Sequence, residues 1–160
     1  MKRRILLVDD DLAVLLTLKA VLELHGFEIE TAGSSVEAVA QMESGVYHMV
    51  ISDLRMETEE AGLEVIRAAR RQSYAPATAL LTAFPPSDEY LSARSAYDDA
   101  PHENHSTEIS SDGNRKLKGT DQPDCLLVKP LGTSALVRQI EAMLIRHADR
   151  KELLRRNSVA

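Results

Sequence analysis

Four apolar runs in this chain end on a residue able to do polar chemistry. They are Val8-Asp9-Asp10, Val50-Ile51-Ser52-Asp53, Leu81-Thr82-Ala83 and Val128-Lys129-Pro130. Helical patterns separate them, and a regular strand-helix alternation signals a parallel sheet with right-handed crossovers. In such a sheet every strand points the same way, so the residues that close the runs gather at the carboxyl edge. Open α/β sheets bind their ligands there. Three carboxylates, a hydroxyl and an ammonium at one edge suit a hard divalent cation and a phosphoryl group.

The local pattern supports the alternation. Residues 5–8 form a short, continuous apolar run bounded by charge, as a buried strand does. Asp11 then caps a helix whose stripe is Leu12, Leu15, Leu18 and Leu22, with Gly26 as its stop. Residues 27–31 alternate as an edge strand with one wet face. Ser34-Ser35-Val36-Glu37 reads as a capping box opening a helix through about Met42 that stops near Gly45. Residues 48–52 are the third strand and 54–62 a loop. The next helix buries Leu63, Val65, Ile66 and Ala69, turns Arg67, Arg70 and Arg71 to water, and ends before Pro76. Residues 77–81 and 126–128 are the fourth and fifth strands. A last helix from Thr133 or Ser134 buries Leu136, Val137, Ile140, Met143 and Leu144.

The 40 residues 84–123 break this rhythm. They hold four of the six prolines and eight acids against four bases, with only Phe84, Leu91, Ile109 and Leu117 as large aliphatic or phenylalanine side chains. A short helix can open at Ser87-Asp88-Glu89 and run to about Tyr97. From about 98 to 123 too little apolar surface remains to offset the entropy of ordering, so a mobile polar insertion is expected. His102 and His105 within it have no further ligand cluster and carry no metal assignment.

The 160 residues suit one domain, and 44% hydrophobic with 28% charged residues is ordinary for a globular protein. No apolar run approaches the roughly 20 residues that cross a bilayer, and the basic start leads into too few apolar residues for a signal peptide, so a cytoplasmic location is expected. The single cysteine, Cys125, excludes an intramolecular disulfide and reads as a buried strand residue. A net charge of −6 points to protein partners in preference to nucleic acid or membrane. The last stretch, 149–160, is basic, a solvated helical extension or tail.

Adjacent acids such as Asp9, Asp10 and Asp11 are common as caps, and Thr82 and Lys129 taken singly are an ordinary strand-end hydroxyl and a solvated lysine. Asp53 changes the weighting, because it too ends a strand and because three acids at one edge are costly without a compensating cation. The ordered set resembles the CheY-like receiver domain of bacterial two-component response regulators. The resemblance covers approximately residues 4–83 and 125–148. It implies a flavodoxin-like, doubly wound, five-stranded parallel sheet of order 2-1-3-4-5, with helices on both faces and an insertion between strands 4 and 5. The receiver would span 1–148. By the same resemblance Asp53 is the phosphoacceptor, Asp10 a direct Mg²⁺ ligand, Asp9 a ligand acting largely through water, and the Arg55 carbonyl a further metal contact. Thr82 would hydrogen-bond the phosphoryl group and Lys129 would pair with it, across a cis peptide to Pro130. The implied partners are a sensor histidine kinase or phosphotransfer protein as donor, and an output protein.

Four features depart from the family, one of them a loop to Gly62 that is one residue longer than common. Glu57 follows Met56 where proline is usual. Leu126 takes the place of the switch aromatic. Thr82 and Lys129 stand 47 residues apart, against a little over 20 in the family. The usual output face must therefore be altered, which implies a monomer or an atypical dimer. The roughly 30 residues after Lys129 suffice for a helix and not for a separate DNA-binding domain. Two other functions compete with the phosphoacceptor: a receiver-shaped binding module indifferent to phosphate, and a haloacid-dehalogenase-type phosphatase using Asp9 and Asp11 as an Asp-x-Asp pair. The latter wants Thr or Val where Ala13 stands and leaves Asp53 unexplained. The first reading is not a classical enzyme; its only chemistry is its own phosphorylation and dephosphorylation.

Overall fold

The computed structural model describes residues 2–54, 56–58, 60–82, 123–128 and 132–159. The polar insertion expected at about 98–123, except Pro123, and the helix expected from 87 to 97 lie outside them. Five parallel strands, β1 (Arg4–Val8), β2 (Glu28–Ala32), β3 (Met49–Asp53), β4 (Ala77–Thr82) and β5 (Cys125–Val128), order as β2-β1-β3-β4-β5. The expected sheet order is present, and β2 is an edge strand.

Alternate strand residues feed two layers, as the period of two demands. Ile5, Leu7, Met49, Ile51, Ala79, Leu81 and Leu127 pack with α1 (Leu12–Leu24) and α4 (Thr133–Val159). Leu6, Val8 and Val50 pack on the other face with α2 (Ser35–Ser44) and α3 (Ala61–Arg71). Leu63 and Ile66 of α3 close over Leu80, with Leu54 and Leu126 at the margin. Each of the five apolar residues expected of the last helix is buried, as is Cys125.

Two expectations are corrected. Leu12 is 67% exposed, because α1 begins there and its first turn overhangs the sheet; only Leu15 and Leu22 are buried, with Leu18 packed partly against them. The loop after β3 ends sooner than expected, since α3 starts at Ala61 and takes in Gly62. At the other end α4 continues without a break to Val159, so the basic extension is helical.

The register of this sheet is fastened at its amino edge. The Arg4 N–H donates to His48 Nδ1 at 3.0 Å, the His48 N–H to the Arg4 carbonyl at 2.9 Å, and the Ala77 N–H to the His48 carbonyl at 2.9 Å. One residue thereby indexes β1, β3 and β4 against each other. Asp124 does the same for β5 where the chain returns from the insertion. Its Oδ2 accepts from the Thr78 N–H at 2.8 Å and the Thr78 hydroxyl at 3.1 Å, and its own N–H donates to Thr78 Oγ1 at 3.1 Å. Arg70 and Arg150 approach Oδ1 at 3.8 and 3.5 Å, tying α3 and α4 to the same carboxylate. A slip of one residue at either point would turn every side chain to the wrong face.

His48 accepts through Nδ1, which requires the neutral ring. Burial, then the nearby charges of Arg3, Lys151 and Arg4, hold its pKa below the ordinary 6.5. The folded value lies below the unfolded one, so this contribution to stability is present above about pH 6.5 and is lost as pH falls through the folded value. Urea unfolding followed against pH should show a loss of stability below 6.5 that is smaller in His48→Gln, whose amide oxygen can still accept from Arg4. An equal loss in the variant would remove His48 from this role.

Candidate functional site

β1 and β3 pair with Val8 opposite Ser52, so the next residues, Asp9 just past β1 and Asp53 at the end of β3, stand side by side at the carboxyl edge. The Asp9 N–H remains bonded to the Ala32 carbonyl at 3.1 Å, which carries β1 one step past its last sheet residue. Asp9 is 2% exposed, Asp53 is half-buried and Asp10 faces solvent. One carboxylate oxygen from each of the three lies within 4.8 Å of the others. Carboxylate oxygens are the hard donors that Mg²⁺ takes, and three gathered this closely could hold it together with water. The donor set fits it.

Asp11 is not part of this cluster. Its Oδ1 accepts from the Ala13 and Val14 N–H groups at 2.9 and 3.3 Å and caps α1. The Asp11 N–H in turn donates to Asp9 Oδ1 at 3.0 Å, which helps orient the buried carboxylate. With Asp11 engaged as a cap, the Asp-x-Asp reading of a phosphatase loses its second acid.

On the other side of β3, Asp53 pairs with Leu81, and the Leu54 N–H donates to the Leu81 carbonyl at 2.9 Å. Thr82, 7% exposed, therefore closes β4 one step beyond Asp53 at the same edge. Val128 pairs with Thr82 at the end of β5. The structure thus brings Asp9, Asp10, Asp53 and Thr82 to one edge. Lys129 and Arg55 lie outside the described residues.

Two residues near this edge were not given a role from the sequence. A Cβ on Gly62 would sit 2.3 Å from the Asp53 carbonyl oxygen and 2.7 Å from Leu54 Cα and its oxygen, so the start of α3 lies against the backbone of the central acid. A glycine eight to ten residues past a strand-ending acid was the available signal. The second is Glu57, whose Oε1 accepts from the Ser35 N–H at 2.8 Å and from the Ser35 hydroxyl. The hydroxyl's hydrogen bond holds the Glu57 carboxyl below the usual carboxylate range, against the opposing effect of burial.

Residues 5–97 match the response regulator receiver domain family. The chain belongs to that family. Among curated proteins this receiver is 36% identical over 93 residues to the alginate biosynthesis transcriptional regulatory protein AlgB of Pseudomonas aeruginosa, which is 58% of this chain and 20% of that protein. It is 36% identical over 73 residues to the transcriptional regulatory protein CpxR homolog of Haemophilus influenzae, 46% of this chain and 31% of that one. The receiver chain thus spans about a fifth to a third of the length of these regulators. Among solved structures, chemotaxis protein CheY4 of Vibrio cholerae superposes with a TM-score of 0.67 at 21% identity, covering 89% of this chain and 99% of that one. That likeness speaks to the fold. The response regulator TrrA of Thermotoga maritima, solved in complex with Mg²⁺ and BeF, gives 0.61 at 28% identity, covering 88% and 98%. No helix among the described residues is long and apolar enough to cross a membrane.

Gly62→Ala should destabilise the receiver by about 3 kcal/mol, since rigid backbone must move to admit the methyl group. Chemical unfolding measures this. A variant as stable as the parent would mean that α3 does not press on the Asp53 backbone.

Proposed function

We propose that this receiver accepts a phosphoryl group on Asp53 from a phosphohistidine of a sensor kinase or phosphotransfer protein. The observation that supports it is the clustering of Asp9, Asp10 and Asp53 within 4.8 Å at the carboxyl edge, beside the end of the strand that carries Thr82. A carboxylate is a poor nucleophile toward an anionic donor, because the two repel. Mg²⁺, held by Asp9, Asp10, Asp53 and the Arg55 carbonyl, would supply the charge that offsets this repulsion.

In the transfer an Asp53 oxygen forms a bond to phosphorus as the phosphorus-nitrogen bond of the donor breaks, and the departing imidazole takes up a proton. Asp53 lies half-buried at the rim, open enough for an in-line donor. Lys129 pairs with the transferred group, and the Thr82 hydroxyl turns toward it. Because Thr82 ends β4, that movement biases the adjoining surface between two arrangements that an output protein reads. The receiver unit is residues 1–148, and 149–160 extend its last helix. The relatives' names make a transcriptional output one candidate for the response; the output protein itself is unnamed.

Incubated with acetyl phosphate and Mg²⁺, the wild-type chain should gain one phosphoryl group, labile to acid and base, and Asp53→Asn should gain none. Intact-protein mass spectrometry reads both. Label persisting on Asp53→Asn would overturn the assignment, and failure of the wild type to label under any donor would favour the phosphate-indifferent binding module.

A further inference from the structure

The connection from β3 to α3 carries Met56 and Glu57 between the central acid and Gly62. Among its described residues the Met56 and Ala61 N–H groups both donate to the Thr58 carbonyl at 3.4 Å, a long distance for either. Beyond Leu54, two of its described side chains reach other parts of the fold. Met56 packs partly buried against the cluster built on α2 and α3. Glu57 reaches across to Ser35, the first residue of α2, and takes both its backbone N–H and its hydroxyl.

That anchor is stiff. Ser35 is 5% exposed. Ser34 caps the same helix, accepting from the Glu37 N–H at 3.1 Å, and Glu37 accepts from the Gly33 N–H at 2.9 Å. The box therefore closes one residue earlier than its usual form, on Gly33 and not on Ser34. Gln41 ties the next turn to the Thr31 carbonyl at 2.9 Å. The first N–H groups of a helix lack partners within it and carry the positive end of its dipole, so a carboxylate from another element is favoured there.

We propose that Glu57 is a positioning residue for the cation site: by clasping Ser35 it fastens the loop between Asp53 and Gly62 to α2 and so pre-orders the backbone beside Asp53 for Mg²⁺. This rests on the reading of the site given above. Its logic is that of a ligand loop held before binding, where the ordering entropy is already spent when the ion arrives. Glu57 touches neither the cation nor the phosphoryl group. Its removal therefore weakens metal binding and leaves the transfer at saturating metal unchanged.

The test compares Glu57→Ala, Glu57→Gln and Ser35→Ala in the full chain with three readouts: amide hydrogen exchange of the metal-free protein, Mg²⁺ affinity by calorimetry, and labelling by acetyl phosphate at saturating Mg²⁺. Glu57→Ala should speed exchange at the Ser35 amide and at Met56, and weaken Mg²⁺ binding about 10-fold, the lower range for groups that orient metal ligands. Glu57→Gln keeps an acceptor oxygen and should recover most of the affinity. Ser35→Ala, losing the hydroxyl alone, should fall between. Labelling at saturating Mg²⁺ should match the wild type in all three. Faster Ser35 exchange with unchanged Mg²⁺ affinity would overturn the proposal, as would equal losses in the Ala and Gln variants. Should the alanine variant fail to fold, the Gln and Ser35 variants decide by the same criteria. A wild-type chain that binds no Mg²⁺ would instead overturn the site reading itself.

Discussion

The register between β1 and β3 forces two acids, Asp9 and Asp53, to emerge next to each other, with Asp10 one residue further on. Like charges a few ångström apart in a partly buried setting repel by roughly 3 kcal/mol at an effective dielectric near 20. A chain seeking stability alone would not keep them there. The surrounding structure is built to hold the arrangement. Apolar residues of both layers lock the strands in place, the Asp11 N–H bonds to the buried Asp9 carboxylate, and the start of α3 lies so close to Asp53 that only glycine fits at position 62. Such clustered carboxylates call for a cation, which couples the metal to the phosphoryl chemistry.

What the sequence made readable follows from where its periodicity is strong. Each strand is either a continuous apolar run or a clean alternation, and each is flanked by a cap or stop, so the order of elements and the acids at their ends could be placed without coordinates. Asp11 as the α1 cap and Ser34 as the α2 cap rest on side chains bonding within three residues, a local matter. Leu12 was misread because helical spacing alone does not say where the first turn overhangs its sheet. The contacts of Gly62, Glu57 and Asp124 could not be read from the sequence for another reason. Their partners, Asp53, Ser35 and Thr78, are distant in the chain or belong to a different element, and no periodic signal reports such contacts.

The same distinction explains how the fold accommodates the long separation between Thr82 and Lys129. β5 must find its place beside β4 after the chain returns, and four described residues give it few side chains to do so. Asp124 supplies the index, bonding to both the backbone and the hydroxyl of Thr78 while Arg70 and Arg150 balance its charge. The alignment it sets carries through four residue pairs to Thr82 and Val128 at the opposite edge. A polar contact at the amino edge of the sheet thus governs what stands at the carboxyl edge, where the chemistry is.

The central claim is that the three carboxylates form one cation site. Calorimetric titration of the metal-free chain with Mg²⁺ tests it most directly. One saturable site per chain is expected, and it should disappear when Asp9 and Asp10 are both replaced by asparagine. Absence of saturable binding to the wild type, or unchanged binding in the doubly substituted chain, would contradict the account.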